Sequence, residues 1–483
     1  MNKQTTDFIE RYVKEIKNNN AAIFAGAGFS KGAGFVNWQE LLQDVAQDIG
    51  LDVSKESNLV AVAQYYCNKN NRSKINRTIF DAFSSNGEAD ENHKILARLP
   101  IFTYWTTNYD SLIEDALRAE KKIVDVKKKD NDFCLVSAGR DAVVYKMHGD
   151  KNSPDDAIII KDDYESYYRK HGAFLTALSG DLISKTFLFL GFSFSDPNID
   201  YVLSRLRVEN GENNQREHYA IMRTVLQTEY TSEEEYTYAK CRQALIIDDM
   251  RKRYNINVLL VDDYSEITVI LKSIEKKFFR NNIFISGSAQ IFEPFTETEA
   301  QKFISTLSRN LVKKGYNIIS GFGVRVGSAV ITGALEEIYS FNNTTIKNDR
   351  LILRPFPQGI KDDEVRKKCF TQYREDMISR AGVSVFVFGN KAKWDNSGEI
   401  IDASGMIEEF EIAKRRNNLI VPVGCTGWVA KMIWNEVNDN FQKFYPHPDE
   451  QLIKCFNNLN QKTDLDTLVA AVIEFIDRIS ISS

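Results

Sequence analysis

This sequence predicts an α/β architecture in two successive units, each built on a parallel sheet, and three observations predict it. Short apolar runs, rich in β-branched and aromatic residues, alternate with amphipathic stretches along the chain. Several of these runs end in Gly, Ser, Thr, Asn or Asp, the composition expected at the carboxyl edge of an open sheet. The alternation then restarts near "FFRNN" at 278–282, which divides the 483 residues into predicted domains at 1–282 and 283–483.

In the first unit the strand candidates are, in order, "AAIFAGAG", "IFTYWTTNYD", "AVVYKMHGD", "AIIIK", "FLFLGFSF", "HYAIM" and "NVLLVD". Residues 38–49 and 92–99 carry apolar side chains at helical spacing between them. In the second unit "NIFISGSAQIF" opens a strand and turn. "EAQKFISTLSRNLVKKGY" follows as an amphipathic helix, with Gly315 at its natural C-terminal stop. "NIISGFG" is a second strand and turn, and "VGSAVITGALEEIYSF" a helix. "RLILRPF", "VSVFVFG" and "NLIVPVG" supply three further strands, with "SGMIEEFEIAKRRNN" as a helix among them.

Composition narrows the function. A net charge of −5 gives no basic footprint for nucleic acid. No apolar run is long enough to cross a bilayer. The opening "MNKQTTDFIERYVKEIKNN" lacks the apolar core of a secretory signal, so a cytoplasmic protein is expected. The nearest two of the six cysteines, Cys425 and Cys455, are 30 positions apart. That spacing offers no local thiolate zinc site, no metal is expected, and the cysteines read as buried small hydrophobes.

The chemistry concentrates at strand ends. In "IFAGAGFSKGAGF", Gly26 and Gly28 close a strand and lead towards a helix. That arrangement can cradle phosphate, or can be a tight turn with no ligand. A dinucleotide fingerprint would need glycine at position 31, where Lys31 stands. "TTNYD" puts Thr107, Asn108 and Asp110 after a strand and before a helix, where they can face a ligand or cap the helix. "KMHGD" puts His148 at another strand end. "GFSFSDPNI" adds Gly191, Ser193 and Asp196, which also reads as an ordinary Asp-Pro turn.

Taken in order, "GAGFS", "TNYD", "HG" and "GFSFSD" resemble the motifs of the sirtuin fold. The resemblance implies a Rossmann-type domain that binds NAD. It sets the diphosphate and ribose near Ala27, Gly28 and Ser30, nicotinamide near Asn108 and Asp110, and the catalytic base at His148. Gly191 and Ser193 fall on the adenosine side. Two departures bear on the substrate: the four-cysteine zinc module of sirtuin deacylases is missing, and "GAGFVNWQEL" has Asn37 and Trp38 but no arginine where their Asp-Phe-Arg segment lies. Both argue against an acyl-lysine substrate, which leaves water as the simplest acceptor. Nicotinamide departs as a neutral base and the ribose gains oxocarbenium character. Asn108 can hold a ribose hydroxyl or the attacking water, His148 can take a proton from either, and Asp110 can accept a hydrogen bond from the nicotinamide amide. A deacylase or ADP-ribosyltransferase, or a nucleotide sensor without catalysis, are the alternatives.

In the second unit "FISGSA", with Gly287 and Ser288, and "SGFGVRVGSAV", with Gly323, place small-residue turns after strands. Downstream lie Arg354, Arg374 in "QYREDM", Lys391 in "FGNKAKW", and Glu408 with Glu409 in "GMIEEFEIA". The cations suit phosphate oxygens and the carboxylates suit ribose hydroxyls, although each can equally be a solvated surface charge. This half resembles the SLOG family of nucleotide-sensing Rossmann-like domains. A sirtuin-like domain followed by a SLOG domain resembles the effectors of the Thoeris anti-phage defence system. That pairing implies a homotetrameric NADase, silent at rest, switched on when a cyclic ADP-ribose isomer from a TIR-domain partner protein binds the SLOG domain. Arg374 and Lys391 are the expected phosphate clamps.

Overall fold

The computed structural model of the chain describes residues 2–84, 87–194, 196–211, 214–340, 350–357, 359–360, 362–393 and 398–482. Of the residues quoted above, Met1, Ser195, Phe341 and Trp394 lie outside these. The described chain forms two compact units, Met1–Glu275 and Lys276–Ser483.

The first unit holds seven parallel strands: β1 (Ala21–Ala25), β2 (Thr103–Thr106), β3 (Val124–Lys127), β4 (Ala142–Lys146), β5 (Thr186–Leu190), β6 (His218–Arg223) and β7 (Ile256–Val261). Their order is β3-β4-β2-β1-β5-β6-β7. β1 lies at the centre, in register with β2 from Ala22 opposite Thr103 and with β5 from Ala21 opposite Thr186. The chain leaves β1 towards β2 and later returns to its other side at β5. The strand order therefore reverses at β1, and the crevice at its carboxyl end is where such sheets bind ligands. β1, β2 and β5 are buried along their whole length, as strands covered on both faces must be. Phe24, Trp105, Phe174, Phe187 and Phe189 form the core of one face, and Trp105 Nε1 donates to Asp181 Oδ2 at 2.8 Å, so the buried indole keeps its hydrogen bond.

One expected strand is a loop. "AIIIK" is buried at Ala157–Ile160 yet joins no sheet. Its backbone groups find single partners instead of a ladder. Ile158 N donates to His148 O at 2.9 Å, Tyr109 Oη donates to Ile158 O at 2.8 Å, and Asp163 Oδ2 accepts from the amides of Ile159 and Ile160. A short apolar run signals burial, and burial alone does not make a strand. β3, "VDVK", takes the seventh place; its polar residues hid it from the apolar pattern.

The second unit has five parallel strands in the order β10-β9-β8-β11-β14: β8 (Asn282–Ser288), β9 (Asn317–Ser320), β10 (Leu351–Leu353), β11 (Val383–Phe388) and β14 (Leu419–Pro422). An antiparallel hairpin of β12 (Asn390–Ala392) and β13 (Ile400–Asp402), absent from the sequence reading, follows β11. The helix Glu297–Lys313 begins in a capping box of Thr296 and Glu299. It stops where Gly315, at φ +98°, returns its amide to Val312 O at 2.9 Å. The strand order reverses at β8, whose carboxyl end carries Gly287.

The cysteines differ from expectation. Cys425 and Cys455 are buried, but Cys67 and Cys369 are half-buried, and Cys134 and Cys241 are exposed. Cys241 lies on the helix Glu233–Tyr254, where Met250 and Tyr254 are the buried residues. Cysteine's preference for burial yields where the element itself faces solvent.

Candidate active site

The glycines at the end of β1 serve contact before anything else. Gly26 N donates to Leu190 O at 2.9 Å and Gly28 N to Gly191 O at 3.0 Å, which locks the turn after β1 onto the turn after β5. A methyl group on Gly28 would stand 3.0 Å from Gly191 O, and one on Gly191, at φ +60°, would strike the Phe29 amide. Two backbones pass each other here without side chains between them. The helix that follows, Ala27–Ser30, is a single turn, and the loop then runs to Asn37, which caps the helix Trp38–Asp48.

Under this crossing Asn108 is held by its donor end. Its Nδ2 donates to Gly26 O at 3.0 Å and Ser30 Oγ at 2.9 Å, while its backbone amide donates to Thr106 Oγ1 at 2.9 Å. Ser30 is therefore buried against the amide. Asn108 Oδ1 is buried and has no hydrogen-bond partner. Asp110 divides in the same way: Oδ1 accepts from Leu112 N at 3.0 Å, the helix-start role, and Oδ2 is buried without a partner. Two unpartnered acceptors thus stand in one narrow chamber lined also by Ala27, Ser30, Thr107 and Trp38. Buried acceptors left unpaired are costly, so the chamber is suited to a ligand that brings N–H or O–H groups.

The turn carrying Asn108 and Asp110 rests on a buried lysine. Lys146, on β4, is fully buried and donates to the carbonyls of Tyr109, at 3.2 Å, and Asp110. Its charge is balanced by Asp150 Oδ2 at 2.8 Å and Glu114 Oε1 at 3.1 Å. Burial by itself would raise the Asp150 carboxyl, but Lys146, with help from the Asn152 amide and Lys128, holds it at about 2.

His148 is buried, and its ring forms part of the wall of a larger cleft of about 1230 Å³. Ala27, Gly28, Gly191 and Ser193 line the same cleft, which shares Ala27, Trp38 and Thr107 with the Asn108 chamber. The eight first-unit candidates therefore line two adjoining cavities at the carboxyl end of β1, five the larger cleft and four the Asn108 chamber, with Ala27 common to both. His148 Nε2 is 3.0 Å from Asp196 Oδ2, at ion-pairing distance but off the line of a well-formed N–H···O bond, and Nδ1 has no partner. Tyr164 meets the imidazole edge-on, with ring centroids 5.6 Å apart at 87°, and donates its hydroxyl to Asp196 Oδ2 at 3.2 Å. From the sequence Asp196 reads either as part of a strand-end motif or as a turn residue, with no role assigned to it, and Tyr164 is not singled out. An acidic residue in a strand-end motif was the one available signal for the first; nothing marked the second. At the far end, Arg223, Gln243 and Tyr264 from the region of β6 and β7 complete the wall.

The second unit repeats the crossing. A methyl on Gly323 would strike Gly287 O, so the turn after β9 meets the carboxyl end of β8 backbone to backbone; Gly287 and Ser288, expected in a turn, are the last two residues of that strand. Ser288 Oγ donates to Asn390 O at 2.9 Å. Three of the charged candidates, Arg374, Glu408 and Glu409, lie against one another. Arg374 Nη1 bonds Glu408 Oε2 at 2.7 Å, its Nε lies 3.5 Å from Glu409 Oε1, and its guanidinium stacks 5.0 Å from the Phe356 ring centroid. Gly405 leaves the space that Arg374 fills. Glu409 is buried, accepts from Ser286 Oγ at 2.6 Å, and is pushed up by burial, against the pull of Arg374. Ser286 on β8 thus ties this cluster to the Gly287 turn. Lys391 donates to Ser404 Oγ at 2.9 Å, on the helix Ser404–Arg415 that carries both glutamates. Arg354 stands apart from the cluster and pairs with Asp376 at 3.2 Å.

No helix among the described residues is long and apolar enough to cross a membrane. The chain matches the Sir2- and TIR-associating SLOG family over residues 266–479 and the SIR2-like domain over residues 103–245. It is 49% identical over 483 residues to the NAD(+) hydrolase ThsA of Bacillus cereus (strain MSX-D12), covering 99% of each chain. The NAD(+) hydrolase ThsA of Acinetobacter baumannii (strain 532279) is 46% identical over 94% of this chain and 95% of its own. That of Enterococcus faecium is 42% identical over 98% of each.

Proposed function

The chain belongs to the ThsA family of NAD(+) hydrolases, and from that premise we propose that its first unit hydrolyses NAD+ to ADP-ribose and nicotinamide. The observation that carries the reading is the pair of buried, unpartnered acceptors, Asn108 Oδ1 and Asp110 Oδ2, beside the cleft that His148 lines. Asp110 Oδ2 accepts from the nicotinamide carboxamide. Asn108, whose donor end is already used, accepts through Oδ1 from a ribose hydroxyl or the attacking water. His148 takes the proton released as water adds to the oxocarbenium-like ribose. The diphosphate lies along Ala27 and Gly28, and the adenosine half beyond Gly191 and Ser193 towards Arg223.

The second unit is the control element. A cyclic ADP-ribose isomer, supplied by a TIR-domain partner protein, binds at Gly287, Ser288 and Gly323, with its phosphates on Arg374 and Lys391 and its ribose hydroxyls on Glu408 and Glu409; Arg354 flanks the site. The ligand activates by binding the active state more tightly than the resting one. The protein acts as a homotetramer in the bacterial cytoplasm, where NAD depletion halts phage infection. The test is nicotinamide release from NAD+ by the purified chain, with and without each cyclic ADP-ribose isomer, with product masses recorded. ADP-ribose formed only with activator, and lost in Asn108→Ala and His148→Ala while Arg374→Ala no longer responds, is the expected result. Unchanged turnover in the first two variants refutes the catalytic assignment.

A further inference from the structure

We propose that Asp196 is the positioning residue for His148: its carboxylate fixes the neutral imidazole as the Nε2–H tautomer and leaves Nδ1 as the atom that accepts the proton. The inference rests on the hydrolase reading for the identity of the reaction and goes beyond it in naming the residue that decides which ring nitrogen is basic.

A carboxylate offers about four acceptor positions, and four groups converge on Asp196. The amides of Asn198 and Ile199 donate to Oδ1 at 3.0 and 3.1 Å, capping the helix Pro197–Asn210. The Tyr164 hydroxyl donates to Oδ2 at 3.2 Å, and His148 Nε2 lies 3.0 Å from the same oxygen. The cap needs only the first oxygen. The second has no part in the helix and is turned towards the imidazole. An ionised carboxylate can only accept, and a neutral imidazole carries one N–H, so the nitrogen beside Asp196 carries the proton and the other keeps the lone pair. Nδ1 has no partner, Nε2 has none beyond the oblique approach of Asp196, and His148 lines the cleft. Burial alone would raise the Asp196 carboxyl, but His148 and the two helix amides outweigh it and hold it below its ordinary value. When His148 takes a proton, the imidazolium forms beside a negative charge already in place and already fixed by the helix.

A helix cap and a positioning residue respond differently to one substitution. Asparagine caps a helix about as well as aspartate, so Asp196→Asn retains both bonds to Oδ1. It presents an NH2 to His148, which favours a lone pair on Nε2 and puts the proton on Nδ1, the atom that must accept one. In Ser-His-Asp triads the same exchange leaves the geometry intact and lowers kcat by roughly 10⁴-fold. For Asp196→Asn we expect kcat to fall by about 10²–10⁴-fold, with KM and the melting temperature near those of the wild type. Tyr164→Phe, which leaves the carboxylate in place, should lose less than about tenfold.

Two measurements test this on the full-length protein. The first is steady-state NAD+ turnover in the presence of each cyclic ADP-ribose isomer, for wild type, Asp196→Asn, Tyr164→Phe and His148→Ala. An Asp196→Asn enzyme as fast as wild type, beside an inactive His148→Ala, overturns the proposal and leaves the hydrolase reading standing. The second needs no turnover: long-range ¹⁵N–¹H spectra of ¹⁵N-histidine-labelled protein at alkaline pH, with His148 assigned by comparison with His148→Gln. An Nε2–H ring in wild type that becomes Nδ1–H in Asp196→Asn supports the proposal even if the substrate proves not to be NAD+. The same tautomer in both proteins overturns it.

Discussion

In the first unit the turns after β1 and β5 meet at Gly28 and Gly191; in the second, the end of β8 and the turn after β9 meet at Gly287 and Gly323. Both crossings lie where the strand order reverses, and both need bare backbone for the same steric reason. What surrounds them differs. The first gathers acceptors with nothing to accept, Asn108 Oδ1 and Asp110 Oδ2. In the second the charges already have partners: Arg374 pairs with Glu408 and lies beside Glu409, and Lys391 donates to the Ser404 hydroxyl. Unpaired acceptors at fixed positions suit a reaction, because groups that need no rearrangement can meet charge as it develops. Internally paired charges suit a switch, because an anionic ligand that takes Arg374 must displace its carboxylates and so changes the site it enters.

The widest separation between the two units should come from one exchange in each. Asn108→Ala should lower NAD+ turnover by about 10²–10³-fold while a cyclic ADP-ribose isomer still binds the protein with wild-type affinity by calorimetry. Arg374→Ala should weaken that binding by about 10–100-fold, and lysine at the position should restore little of it, because the forked contact is lost. If either variant damages both measurements, the division of labour is wrong.

The glycine crossings can be compared next. Gly191→Ala and Gly323→Ala each force a methyl into main-chain atoms and should cost about 2–4 kcal/mol in denaturant unfolding. Gly180→Ala, in the helix Gly172–Ser184 with open space at its Cβ, should instead stabilise by about 0.5–1 kcal/mol. Similar losses at all three positions would mean that close backbone approach is not what the glycines provide.

A further comparison concerns pH, and its sign differs between the units. His218 is buried on β6, accepts from Phe187 N through Nδ1 at 3.2 Å, and is pushed by burial from 6.5 down to about 3. Between those values the unfolded chain holds a proton that the folded one excludes. Stability from this site is complete above pH 6.5 and is lost as pH falls towards about 3, at up to ~1.4 kcal/mol per pH unit. Glu409, raised by burial, runs the other way: it keeps its proton where the unfolded chain has lost it, so its contribution is full below the ordinary carboxylate range and declines as pH rises through its folded value. Unfolding followed across pH should show His218→Gln flattening the acid limb, and Glu409→Gln removing a weaker slope of opposite sign.

Strand ends were easier to read from sequence than strands. "TTNYD", "KMHGD" and "GFSFSD" announced polar side chains at a sheet edge because each follows a buried apolar run directly. "AIIIK" misled for a related reason: a run that satisfies its backbone through Tyr109, His148 and Asp163 has the same composition as one that joins a ladder. Tyr164 and Ser286 gave no local sign, since each acts on a partner far along the chain, Asp196 in one case and Glu409 in the other.

By itself the sequence determined two α/β units, the turns that end their strands, and the residue types gathered at those turns, because periodicity and turn chemistry are local properties. Only the tertiary structure decided that Asn108 keeps its donor end occupied and its acceptor free, that Asp196 faces His148, and that Arg374 is already held by two glutamates. Which end of a side chain remains available depends on neighbours brought together by folding, and those neighbours are separated along the chain by tens of residues.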